Sequence, residues 1–196
     1  MRDSTKPDHA GHFAQAAREY LDWADNSRES GASAARRLLS MLINLYAQGI
    51  NLPLGIPLKT IVVNTRRKEE FARVYRKGRR LPIGYYGEVF NPLTVPPEEP
   101  VVGDLSDDLA DIYFELRAGL DLYENKQPQE ALWTWKFGLE IHWGEHATSA
   151  IRVLHCWLTK HHELSAISME GPRRAPASRK STQQKKVKRK PKFRGR

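Results

Sequence analysis

The 196-residue sequence predicts an all-α protein, a small helical bundle followed by a disordered basic tail. Three observations lead there. Apolar residues recur at spacings of three and four in successive stretches as far as Trp157. One short connection, Glu124-Asn125-Lys126-Gln127-Pro128, joins the two strongest of these patterns. Beyond residue 170, twelve Lys and Arg occur with no acid.

The joined patterns form the centre of the expected bundle. Leu105, Leu109, Ile112, Leu116, Leu120 and Tyr123 fall on one helical face, with Ser106 as the expected N-cap and Asp107 and Asp108 in the first turn, where carboxylates favour the positive end of the helix dipole. Pro128 suits the first position of the next helix, and Gln129 and Glu130 follow it. That helix is expected to run unbroken through Leu132, Trp135, Leu139, Trp143, Ala147, Ala150, Leu154 and Trp157. So short a connection makes the pair antiparallel. The hairpin is similar to a single tetratricopeptide unit, with Gly119 and Ala131 at that motif's small positions and Trp135 at its later aromatic one. A solenoid needs about three such units and no second copy is present, so the reading is one tetratricopeptide-like hairpin within a bundle.

The remaining elements follow in order. Residues 1–8 are expected to be flexible and residues 9–170 to form the helical domain. Phe13, Ala16, Ala17, Tyr20, Leu21 and Ala24 mark a first helix, ended by Asp25-Asn26-Ser27. A second begins near Ser30 or Ser33 and carries Leu38, Leu39, Leu42, Ile43, Leu45 and Tyr46 before Gly49 and Pro53. Ile61-Val62-Val63 is β-branched but has no partner strand in view. Arg66 to Lys77 reads as a short third helix, closed by Gly78, whose many Lys and Arg are best explained as a solvated face. From Leu81 to Gly103 the chain has five prolines and three glycines, with Tyr85, Tyr86 and Phe90 among them. That composition predicts a loop pinned by aromatics rather than a regular element.

Composition excludes several classes. The single Cys156 leaves no internal disulfide, no apolar run reaches membrane-spanning length, and the first residues lack a signal-peptide core, so a cytoplasmic location is expected. The net charge of +9 belongs to the tail: outside residues 171–196, 20 of the 32 Lys and Arg face all 23 acids. The tail has no apolar period and cannot bury enough surface to offset the entropy of ordering.

Five pieces of the chain belong together: Leu42 to Tyr46 with Leu52-Pro53; Tyr86 with Val89-Phe90-Asn91-Pro92-Leu93; Ser106 to Tyr113; Ala131-Leu132-Trp133-Thr134-Trp135; and His142-Trp143-Gly144-Glu145-His146. With these pieces the chain resembles an uncharacterised bacterial family catalogued as domain of unknown function 5063. The resemblance spans roughly residues 10–160. It implies an all-helical domain and brings no activity with it. The tail lies outside it.

Two constellations could carry chemistry. His142-Trp143-Gly144-Glu145-His146 has the spacing of inverted zinc peptidases, yet the downstream acids Glu163 and Glu170 are poorly placed as a third ligand. Counting outward from the hairpin turn gives those histidines another use. Asp108 falls level with His146 and Asp111 with Trp143, so Asp108, Asp111, His142, Glu145 and His146 are candidate ligands for a divalent metal, with Asp111 expected to point away toward another helix. The plainer alternative has Asp107 and Asp108 serving the helix start, and the histidines bonding at the core boundary. Lys136 and Glu140 form either a half-buried pair or, with a bend at Gly138, an outward one. Trp133, Trp135, Trp143 and Trp157 read as core rather than as stacking platforms for bases.

The second constellation is the tail. Arg179, Lys180, Lys185, Lys186, Lys188, Arg189, Lys190, Lys192 and Arg194 are candidate contacts to phosphates, giving affinity that is independent of base sequence and falls with salt. The leading expectation is a non-enzymatic binding or adaptor protein, its tail on RNA, DNA or ribosomes and a protein partner on its helical domain. The alternative is a metal-dependent enzyme or ligand-binding protein using the Asp/His cluster.

Overall fold

The computed structural model describes residues 8–57 and 68–164. Chain contacts divide the molecule into two units, Met1–Ala166 and Ile167–Arg196, and the described residues all belong to the first. Ile61-Val62-Val63, the boundary near residue 170 and the basic tail lie outside them.

Six helices and two short strands are described: α1 (His9–Asn26), α2 (Gly31–Ile50), α3 (Lys68–Gly78), β1 (Tyr85–Glu88), β2 (Val101–Asp104), α4 (Leu105–Glu124), α5 (Pro128–Ile141) and α6 (Trp143–Lys160). The protein is predominantly α-helical. Asp8 caps α1 by accepting from the Gly11 amide at 2.9 Å. Helix α4 is the hub, packed by α1, α3, α5 and α6, while α2 lies against α1, α5 and α6. Leu105, Leu109, Ile112, Leu116 and Leu120 of α4 are all buried in the common core.

The turn between α4 and α5 closes as expected. Its close approach depends on Gly119, where a Cβ would stand 2.1 Å from Trp135 Nε1. The Trp135 ring lies over that gap and donates to the Leu116 carbonyl at 3.2 Å. Phe13 packs tilted against Trp135 with ring centroids 4.9 Å apart, and the Trp143 indole N–H donates to the Trp135 carbonyl at 3.0 Å. Trp135 and Trp143 are core residues, whereas Trp133 and Trp157 are only partly buried.

Three sequence expectations are corrected. Helix α4 starts two residues earlier than an N-cap at Ser106 implies, because Asp104 is the N-cap and accepts from the Ser106 amide at 2.9 Å. The stretch from Leu81 to Gly103 is not merely a loop. Tyr85 pairs with Asp104 and Glu88 with Val101 in an antiparallel ribbon, and β2 runs directly into α4. The second helix of the central hairpin is broken at His142, whose φ of −151° and ψ of −82° end α5, and α6 begins at Trp143. Here Gly144 sits against the Leu139 carbonyl, with room for no Cβ. The bend therefore falls at His142 rather than Gly138. Lys136 stays on the α2 side, its Nζ 3.1 Å from the Ile50 carbonyl and 3.8 Å from Glu140.

Candidate metal centre

The site is built from one stripe of α4 and the first turn of α6. Asp108, Asp111 and Glu115 are spaced by three and four, which places their carboxylates on one face of α4. His142 and His146, one helical turn apart across the start of α6, stand opposite. Their rings meet edge to face with centroids 4.9 Å apart.

Each histidine is held by a carboxylate. His146 Nδ1 lies 2.9 Å from Asp108 Oδ1, and His142 Nδ1 lies 3.2 Å from Glu115 Oε1. An ionised carboxylate only accepts, so the proton of each neutral ring sits on Nδ1 and the lone pair on Nε2. His146 Nε2 stands 3.4 Å from Asp111 Oδ2. One donor atom from each of Asp111, His142 and His146 lies within 4.8 Å of the other two, a span that one metal ion can bridge. Asp111 therefore faces the histidines and does not point away, as the helical wheel had suggested. The wheel treated α5 and α6 as one straight helix, and the break at His142 re-aims the second.

The bond from Asp108 raises the His146 pKa above its ordinary value, against the opposing effect of burial. Asp108 is itself fixed from the other side, because Tyr86 of β1 donates to its Oδ2 at 2.7 Å. Burial, reinforced by that bond, pushes the Tyr86 phenol far up, so it remains a donor at neutral pH. Burial also raises the Asp107 carboxyl, with the neighbouring Asp111, Asp104 and Asp108 charges adding to the effect. Glu145 is exposed and belongs to no metal-binding group among the described residues. The five-residue peptidase-like motif thus supplies its two histidines without its glutamate, and it does not lie on one continuous helix.

The β-ribbon walls a cleft of about 580 Å³ beside the cluster, lined by Tyr86 to Phe90 and Pro92 on one side and by residues of α6 from Glu145 to Cys156 on the other. His146 opens onto it. Glu88 reaches across the cleft, accepting from Ser149 and lying 3.3 Å from the Tyr86 hydroxyl.

Sequence reasoning missed Glu115, Tyr86, Glu88 and Ser149. Glu115 was legible as the next member of the Asp108 and Asp111 stripe. Nothing in the spacing points to the others, because they meet only through the ribbon. The tail residues from Arg179 to Arg194 fall outside the described residues, as do the remaining tail cations.

Fold and site together define a helical-bundle protein with an Asp/His cluster between two packed helices and a β-ribbon over its mouth. The chain belongs to the family described as "Domain of unknown function (DUF5063)", whose model matches residues 5–160. Among solved structures it is similar to the crystal structure of protein BF1032 from Bacteroides fragilis. That match has a TM-score of 0.61 at 17% identity and covers 77% of this chain and 95% of the other. At that identity the likeness speaks for the fold alone. No curated protein gives a significant match. Among the described residues, no helix is long and apolar enough to cross a membrane.

Proposed function

We propose that the protein binds a divalent transition metal through Asp111, His142 and His146, and that the open coordination positions serve a ligand in the adjoining cleft. One observation carries this reading: both histidines rest Nδ1 on a carboxylate of α4, which leaves their other ring nitrogens as lone-pair donors, and each offers a ligand atom within 4.8 Å of the other and of one from Asp111. Histidines that bind metal are oriented in this way by outer carboxylates, and Asp108 and Glu115 have that part here. Two imidazoles with one carboxylate suit Fe(II) or Zn(II). Three protein donors leave room for water or substrate, as in catalytic rather than closed structural sites, so the reading favours metal-dependent chemistry on a small molecule.

The test is elemental analysis of the untagged full-length protein beside a His142→Ala/His146→Ala variant. Near-stoichiometric iron, zinc or manganese in the first and none in the second is the expected result. A wild-type protein that takes up none of these metals on reconstitution contradicts it.

A second reading rests on the division of charge in the sequence: the tail tethers the helical domain to RNA, DNA or ribosomes, and the domain acts as an adaptor. Exposed Ile50, Leu54, Ile56 and Phe137, beside the contact of α2 with α5, favour a protein partner. Removal of residues 171–196 is expected to abolish salt-sensitive binding to nucleic acid. Undiminished binding by the shortened protein contradicts it.

A further inference from the structure

We propose that the cleft beside the cluster binds a small organic acid, whose carboxylate pairs with Arg152 and whose apolar body lies along the ribbon toward His146. For the far end of the ligand this rests on the metal reading above.

The argument begins with the α6 wall. Glu145, Ser149, Arg152 and Cys156 follow at intervals of four, three and four, so they form one stripe facing the ribbon. His146 borders the stripe at one end and Cys156 ends it at the other. Arg152 is six residues beyond His146, which is about 9 Å along the helix axis at 1.5 Å per residue. The volume of about 580 Å³ is of the size that takes a small molecule.

The chemistry of the lining selects the ligand. Arg152 is the only Lys or Arg among the lining residues, and it makes no hydrogen bond or ion pair among the described residues. Glu88, by contrast, is engaged by Ser149 and Tyr86. Between Arg152 and His146 the opposite wall offers Val89 and Pro92, with Phe90 exposed beside them and Val153 facing from α6. A guanidinium at one end and an apolar middle match an acid with a short hydrocarbon body. The fork of an arginine takes a carboxylate in two parallel hydrogen bonds. The group at the other end of such a ligand reaches the cluster.

Cys156 provides a direct readout, since it is exposed, lines the cleft and is the chain's single cysteine. The experiment uses full-length protein, with and without Co(II), and a series of straight-chain dicarboxylates from succinate to suberate. Two signals are followed: the rate of Cys156 alkylation by iodoacetamide, and the visible absorption of bound Co(II). The longer diacids are expected to protect Cys156 and to shift the cobalt spectrum. Arg152→Gln should weaken protection about tenfold, the loss expected for one charge-assisted hydrogen bond, and Arg152→Lys should restore part of it.

If Co(II) binds and no diacid protects Cys156, or if wild type and Arg152→Gln are protected alike, this inference is overturned while the metal reading stands. If no Co(II) binds but Arg152-dependent protection persists, the acid-binding cleft is supported and the metal reading falls. Arg152 is exposed, so the folded protein should tolerate both substitutions.

Discussion

Helix α4 carries a polar cluster on each of two opposite faces, and they are built from different bases. Toward α1 and α3, Asp25 meets Arg73 at 2.9 Å and Arg117 at 3.4 Å, and Glu70 lies 3.5 Å from Arg73. The Tyr113 hydroxyl sits among them, 3.0 Å from Arg73 and 3.2 Å from Arg117. Toward α6, Asp108 and Asp111 of α4 face the two nitrogens of His146, and Glu115 faces His142. A guanidinium keeps its charge and offers no lone pair, so the first cluster can only be a salt-bridge network. An imidazole offers a lone pair once its other nitrogen is held, so the second can ligate. Acids brought to α4 by its neighbours, Asp25 of α1 and Glu70 of α3, are thus committed to guanidinium groups, whereas the acids of α4 itself face imidazoles.

This comparison can be broken or sharpened by substitution. The largest expected effect is that of Asp111→Asn on metal affinity, measured by competition with a chelator. Its loss should exceed the roughly 10- to 100-fold typical of an outer partner. Asp108→Asn and Glu115→Gln should each fall within that range, since they orient the rings without touching the metal. Equal losses for all three would erase the distinction between ligand and support. On the other face, Asp25→Asn should cost about 1 kcal/mol of stability by denaturant titration, a modest amount because the arginines are half-exposed, and it should leave metal uptake unchanged.

The smallest effect concerns the core between the clusters. Tyr20 is fully buried and donates to the Leu109 carbonyl at 2.9 Å, and burial drives its pKa well above the ordinary 10.0. A phenol whose folded pKa is raised contributes stability fully present below the unfolded value, and that contribution is lost as pH climbs from there through the folded value. Stability should therefore fall above about pH 10, and Tyr20→Phe should flatten the fall while costing about 1 kcal/mol at neutral pH. An unchanged alkaline slope in the variant would remove Tyr20 from the account.

The hairpin was legible because its signals agree. Periodicity, Pro128 and the short turn fix two antiparallel helices, and the same count sets Asp108 level with His146. The break at His142 was hidden because the apolar pattern stays in phase across it: Leu139 and Trp143 are spaced like neighbours on an unbroken helix. The ribbon was hidden for another reason. Its strands are four residues each and are separated by a proline-rich stretch, so neither shows an alternation that identifies a partner. Tyr86 and Glu88 reach the site only through that pairing, which is long-range and carries no local mark.

The most direct test of the central claim, that the α6 side of α4 ligates and the other side does not, is thermal unfolding with and without Zn(II). Wild type, Asp25→Asn and Asp111→Asn would be compared. The account predicts that metal raises the stability of wild type and Asp25→Asn alike, by about 2.7 kcal/mol at about a hundredfold excess over Kd, and leaves Asp111→Asn where it was. A metal-induced rise that survives in Asp111→Asn, or is absent from wild type, would contradict it.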